Sequence, residues 1–149
     1  MVVHADDKLC IAIEGDLCIL RWTDSPGTAQ FDTVLATTQR AATRGRLAIL
    51  NVVDAAGKIP LLGADELAAG IRMSKGFEHV TKAVSHVLLM DGFTGVTVRM
   101  FVATLTLVRR SGSPNKVFST VDEGAAWLKP FVTTPGVGSR IVDVHDSLR

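Results

Sequence analysis

The sequence predicts a single α/β domain, a mixed, mostly parallel five-stranded sheet with about four helices in the order β-β-α-β-α-β-α-β-α. Three observations lead there. A hairpin pattern lies near the start of the chain, apolar runs rich in branched residues then alternate with amphipathic stretches, and turn signals separate them. With 149 residues, 47% of them hydrophobic, the chain can bury one core and is too short for two.

Residues 9 to 23, LCIAIEGDLCILRWT, alternate apolar and polar positions on either side of Glu14-Gly15-Asp16, which predicts two short strands and a tight turn. TDSPGTAQ then leads into a first helix with Phe31, Val34, Leu35, Thr38 and Ala42 on its inward face, ending at Gly45. Leu47 to Val53, LAILNVV, reads as a central strand covered on both sides. After the loop DAAGKIPLLG, Asp65 and Glu66 open a second helix, where acidic groups complement the positive end of the dipole. Its inward side is expected to be Leu67, Ile71, Ser74 and Phe77.

Ala83 to Met90 is the next strand, followed by an Asp91-Gly92 break, and a long third helix runs from about Thr94 to Arg110, stopped by Gly112 and Pro114. Lys116 to Ser119 supplies a short strand. Thr120 and Glu123 are spaced as a capping box for a last helix ending at Leu128. Residues 1–8 read as an N-terminal extension, 9–130 as the domain and 131–149 as a C-terminal strap or tail. For the last of these, an edge strand, a strap and a partly ordered tail all fit the turn signals at Pro135 to Gly138 and the alternation Ile141-Val142-Asp143-Val144.

The net charge of +1 and pI near 7.9 create no field for nucleic acid. Arg40, Arg44 and Arg46, and Arg109 with Arg110, sit where cations favour a helix C-terminus, and no aromatic residues interleave them. MVVHADDK lacks a basic head before an apolar core, and no apolar run approaches the ~20 residues of a membrane span, so a cytoplasmic chain is expected. Cys10 and Cys18 belong to no CxxC or zinc spacing and read as packing residues.

Catalysis needs a nucleophile with its base, a paired acid and base, or a metal. His4, His79, His86 and His145 are too dispersed for a metal site; His79 reads as a surface residue and His86 as a strand residue bonded locally. Ser113-Pro114-Asn115-Lys116 matches SxxK in letters but precedes a strand, and reads as a turn. Gly136-Val137-Gly138 lacks the third glycine of a dinucleotide fingerprint, and no GxxxxGK loop occurs. Asp54 and Asp91 follow strand ends, where open α/β sheets bind ligands, yet aspartates there serve more often as turn formers and caps. The expectation is a non-enzymatic protein without cofactor or metal.

The third helix stands out. Val98, Phe101, Val102, Leu105 and Val108 form one apolar stripe, and Val96, Met100, Ala103 and Leu107 form a second on the opposite side, with Arg99, Thr106 and Arg110 between them. The outer stripe is either covered by residues 131–149 or a contact with another molecule: a homodimer seam, a partner groove or a lipid-facing lid. Candidate partner-binding residues are therefore Val96, Arg99, Met100, Ala103, Leu107 and Arg110. Ile59, Leu61 and Leu62, in the loop from Asp54 to Gly63, read as packing beneath their own domain.

KVFSTVDEGAAWL (116–128), the strand LAILNVVDA and the strand-to-helix passage MDGFTGVTVRMF resemble the STAS family of anti-sigma-factor-antagonist-like domains, in particular a divergent bacterial STAS-like branch related in fold to CRAL-TRIO lipid-transfer domains. The likeness covers about residues 9 to 128. It implies a STAS-like sheet and a regulatory, signalling module that binds protein. It also implies a phosphorylatable Asp-Ser-Ser-Gly after the central strand; here that position reads Asp54-Ala55-Ala56-Gly57, which has no hydroxyl to accept a phosphoryl group. The resulting expectation is a self-associating interaction module, with a carrier of small molecules or lipids, holding its ligand in an apolar cavity beneath the third helix, as the alternative.

Overall fold

The computed structural model describes residues 1–54, 63–89, 99–100, 102–103 and 113–149. Its centre is one mixed sheet in sequential order: β1 (Val2–Ala5), β2 (Leu9–Glu14), β3 (Leu17–Trp22), β4 (Leu47–Val53), β5 (Thr81–Leu88) and β6 (Asn115–Phe118). β1, β2 and β3 are joined antiparallel; β3 through β6 run parallel. Among the described residues the sheet thus has six strands rather than the five expected, and it is less dominated by parallel pairing. Residues 2–5, expected to precede the domain, form an edge strand because Asp6 makes a tight connection: its Oδ1 accepts from the N–H groups of Lys8 and Leu9, both at 2.8 Å.

The β2–β3 hairpin holds its register from Glu14 opposite Leu17 to Leu9 opposite Trp22. Gly15 turns the chain with φ +60°, and a Cβ there would lie 2.3 Å from Thr134 Oγ1, so both the turn and the close approach require glycine.

Alternation along the strands divides the core into two layers. Leu47, Ile49 and Val53 of β4 face one side with Leu9, Ile11, Leu20 and Trp22; Ala48, Leu50 and Val52 face the other with Ala12, Leu17 and Ile19. On the first side pack α1 (Thr28–Ala41), through Phe31 and Val34, and α2 (Ala64–Gly76), through Ala69 and Met73. Val102 belongs to this layer too, 6% exposed, and Arg99, Met100, Val102 and Ala103 are helical; the rest of the expected third helix lies outside the described residues.

Two expected helix faces shift. In α1 the buried set is Phe31, Val34, Thr37 and Thr38, with Leu35 half-buried against the layer; Ala42 opens a 3-10 turn (Ala42–Arg44) before Gly45. In α2, Leu67 and Ile71 are only half-buried, while Ala69, Gly70, Met73 and Ser74 are buried. Ser74 and, just past the helix, Phe77 are buried as expected; small residues bring α2 close to α1, where a Cβ at Gly76 would lie 2.3 Å from Leu35 Cδ1, and this packing leaves Leu67 and Ile71 half-buried.

The second side is covered by α3 (Val121–Leu128) and α4 (Ile141–Asp146). Thr120 Oγ1 accepts from Glu123 N–H at 3.2 Å and starts α3. Gly124 lets α3 sit directly on β5: a Cβ there would lie 2.5 Å from Val87 Cγ2, and the Ser85 hydroxyl donates to the Gly124 carbonyl at 3.0 Å. Residues 132–149 then cross the β2–β3 end of the same side as a strap with Val137, Ile141, Val144, His145 and Leu148 buried. The strap therefore lies across the sheet from Val102 and covers the face opposite the helix that carries Met100. No helix among the described residues is long and apolar enough to cross a membrane.

Candidate functional site

Polar side chains gather at the carboxyl ends of β3, β4 and β5, the edge where open parallel sheets present residues to ligands. On the α1/α2 side, Trp22 Nε1 donates to Asn51 Oδ1 at 2.9 Å, and Asn51 Nδ2 lies 3.1 Å from His86 Nδ1. An indole N–H can only donate, which orients the Asn51 amide so that its NH₂ donates to His86 Nδ1. In the neutral imidazole the ring proton then sits on Nε2. Asn51 and His86 are direct cross-strand partners, so one polar chain runs across three strands within an otherwise apolar layer.

On the opposite side of the same edge, Arg21 donates from Nη2 to Asp54 Oδ2 at 3.1 Å and from Nη1 to the Leu148 carbonyl at 2.9 Å. The Arg21 side chain is 16% exposed and that of Asp54 38%. Among the described residues, Arg21 Nε and His145 Nε2 are the buried side-chain nitrogens or oxygens with no hydrogen-bond partner, and both lie at the junction of strap and sheet. His145 Nδ1 is 3.1 Å from Asp146 Oδ1.

The amino end of the parallel strands carries a denser cluster. Asp16, in the hairpin turn, pairs with Lys82 Nζ and accepts from Thr133 N–H and Oγ1, both at 2.7 Å, and from Thr134 N–H at 3.0 Å. Its own N–H donates to Thr134 Oγ1 at 3.0 Å. Burial opposes ionisation of the Asp16 carboxyl, but Lys82, Thr134 and Thr133 together outweigh it and hold the pKa well below the usual carboxylate range. This is a structural clasp between hairpin, β5 and strap.

The thiols stand on opposite faces of the sheet, Cys18 in the α1/α2 layer and Cys10 against the α3/α4 layer, which separates them as disulfide partners. Burial pushes the Cys18 thiol up to about 12 and raises that of Cys10 against the opposing charge of Arg21, so neither is disposed to act as a thiolate.

Of the residues singled out in the sequence, Arg99, Met100 and Ala103 are solvent-exposed, Met100 by 66%, within one helical turn of buried Val102; Val96, Leu107 and Arg110 lie outside the described residues. Asp54 closes β4 and is tied to Arg21, whereas Ala55, Ala56, Gly57 and Asp91 lie outside the described residues. Ser113 donates to the Thr81 carbonyl at 3.0 Å, and Lys116 Nζ stands 5.6 Å from the Phe118 ring centroid, so the SxxK letters serve a turn and an edge strand. No group of three His, Cys, Asp or Glu among the described residues is placed to hold a metal ion.

Trp22, Asn51, Arg21 and Asp16 were not singled out in the sequence as site residues. Their signal was present: Asn51 is the one polar residue in LAILNVV and Arg21 the one charge in LCILRW. A polar residue inside a buried run needs a partner, and the partners come from other strands. No family model, curated protein or solved structure matches the chain.

Proposed function

We propose that the protein is a non-enzymatic regulatory domain that works by binding protein, in the first place a second copy of itself, through the helix face bearing Arg99, Met100 and Ala103. The observation that carries this reading is the contrast within one turn of that helix: Val102 is 6% exposed in the core layer and Met100 is 66% exposed. A flexible, polarizable methionine on an outer helix face suits a contact surface, and the C-terminal strap, which lies across the sheet from Val102, does not cover it. Val96, Leu107 and Arg110 extend the same stripe in sequence, and the likeness to STAS domains points to the same class of function without a phosphorylated hydroxyl.

Light scattering after size exclusion, over a concentration series, tests it. The wild-type chain is expected above monomer mass, and Met100→Glu is expected to return it to monomer with an unchanged circular dichroism spectrum. A wild-type monomer throughout, or an unaltered dimer in Met100→Glu, overturns the assignment.

The Trp22–Asn51–His86 chain favours a second reading, a carrier whose ligand lies against the α1/α2 side of the sheet, because a few fixed polar groups in an apolar wall are what orient a small molecule. Native mass spectrometry of gently purified protein is then expected to show a bound species that Asn51→Leu loses; a bare chain removes this reading.

A further inference from the structure

The far end of the strap is held by a residue that also holds something else. Arg21 divides its guanidinium between the Leu148 carbonyl, through Nη1, and the Asp54 carboxylate, through Nη2. Leu148 N–H in turn bonds to the carbonyl of His145, whose buried ring belongs to the same turn of chain that plugs the α3/α4 side of the sheet. The Asp54 carboxyl is more exposed than Arg21, at the strand edge where an incoming group would arrive first.

The two bonds depend on each other. With the carboxylate in place, the mostly buried guanidinium is neutralised and pinned so that Nη1 points at Leu148. Without it, a cation that is 16% exposed keeps only a neutral carbonyl as partner, while Nε has none among the described residues. Leaving a desolvated charge unpaired is far costlier than losing one hydrogen bond, so the side chain turns toward water and the Leu148 carbonyl is released. His145 Nε2 is buried and also unpaired, so the strap end has little polar bonding in reserve.

We propose that Arg21 is a coupling residue that ties the docking of α4 to the Asp54 carboxylate, so that a cationic group which captures Asp54 loosens the C-terminal end of the strap. The output is exposure of the apolar surface under Ile141, Val144 and Leu148. This does not rest on self-association through Met100, and it concerns the opposite face of the sheet.

Amide hydrogen exchange of the full chain, read by mass spectrometry at one protein concentration, tests it, with Asp54→Asn standing for a captured carboxylate. Exchange in residues 141–149 is expected to rise about tenfold in Asp54→Asn and in Arg21→Gln, with α1 and α3 unchanged. The double variant is expected to exchange no faster than either single variant, because each already breaks the same link. Asp54→Glu, which keeps the charge, is expected to restore protection. Unchanged protection of the strap in Asp54→Asn, an equal rise in α1, or additive effects in the double variant would overturn the coupling. Should Arg21→Gln fail to fold, the contrast between Asp54→Asn and Asp54→Glu decides alone.

Discussion

The strap is clasped to the sheet at two ends by charged side chains of β3 and its turn, and the clasps are unlike. At Thr133 and Thr134 the Asp16 carboxylate is saturated: an ammonium, two backbone N–H groups and a hydroxyl converge on it, and a bond from its own N–H returns to Thr134. At Leu148 the Arg21 guanidinium makes a single bond to the strap, shares itself with Asp54 and leaves Nε buried and unpaired. A charge whose every partner is fixed acts as a rivet, and one divided between two elements transmits changes between them. The near end of the strap is therefore expected to open only when the domain unfolds, the far end on its own.

The largest effect expected from breaking this comparison is at Asp16. Asp16→Ala leaves Lys82 without its counter-ion and three donors of the strap without an acceptor, which is expected to lower the unfolding free energy by about 2–4 kcal/mol. Arg21→Gln is expected to cost about 1 kcal/mol, because that clasp is already incomplete. Urea denaturation of the two variants checks the ranking; equal losses would erase the distinction.

Acid sharpens the same point. Asp6 sits in the β1–β2 connection, where burial opposes ionisation but Lys8 N–H, the His4 ring, Leu9 N–H and the Gln30 amide outweigh it and take the pKa from 3.8 to about 2. Asp16 is depressed as well. A carboxyl with a lowered folded-state pKa contributes stability that is complete above its unfolded value and lost as pH falls through the folded one. The domain is therefore expected to keep its stability from neutrality down to about pH 4 and to lose it progressively below that. Asp16→Asn, measured by thermal melts from pH 6 to pH 2, is expected to show a shallower decline, since the asparagine has no proton to gain.

How much of this was legible in the sequence follows from how far apart the partners lie. Elements written by local signals were read closely: the β2–β3 hairpin from its turn, β4 from LAILNVV, the start of α3 from Thr120 and Glu123. β1 was missed because four residues, VVHA, carry too little alternation to announce a strand; its pairing with β2 depends on the Asp6 turn. The inward face of α2 is legible in part: Ser74 and Phe77 are buried as expected, but periodicity weighs side-chain size and favours Leu67 and Ile71, whereas Ala69, Gly70 and Met73 are the residues that packing buries. The site residues were the hardest to read. Asp16 meets Thr133 across 117 positions and Arg21 meets Leu148 across 127, and no spacing rule reaches that far.

The smallest effect belongs to the middle of the strap, where Arg140 Nη1 lies 2.9 Å from Glu14 Oε1 with side chains 58% and 26% exposed. The pair has good geometry and, like the rivet, joins a hairpin carboxylate to the strap, here directly through a cation of the strap itself. What it lacks is burial of the cation and further partners on the carboxylate. The exposed Arg140 guanidinium keeps most of its hydration, the attraction is screened by salt, and holding two long side chains offsets part of the gain. Arg140→Ala is therefore expected to change the unfolding free energy by at most about 0.5 kcal/mol, a difference that fades in high salt. A loss approaching that of Asp16→Ala in the same urea series would mean that the strap is held by charge along its whole length, and that the number of partners gathered on each group is not what separates its two ends.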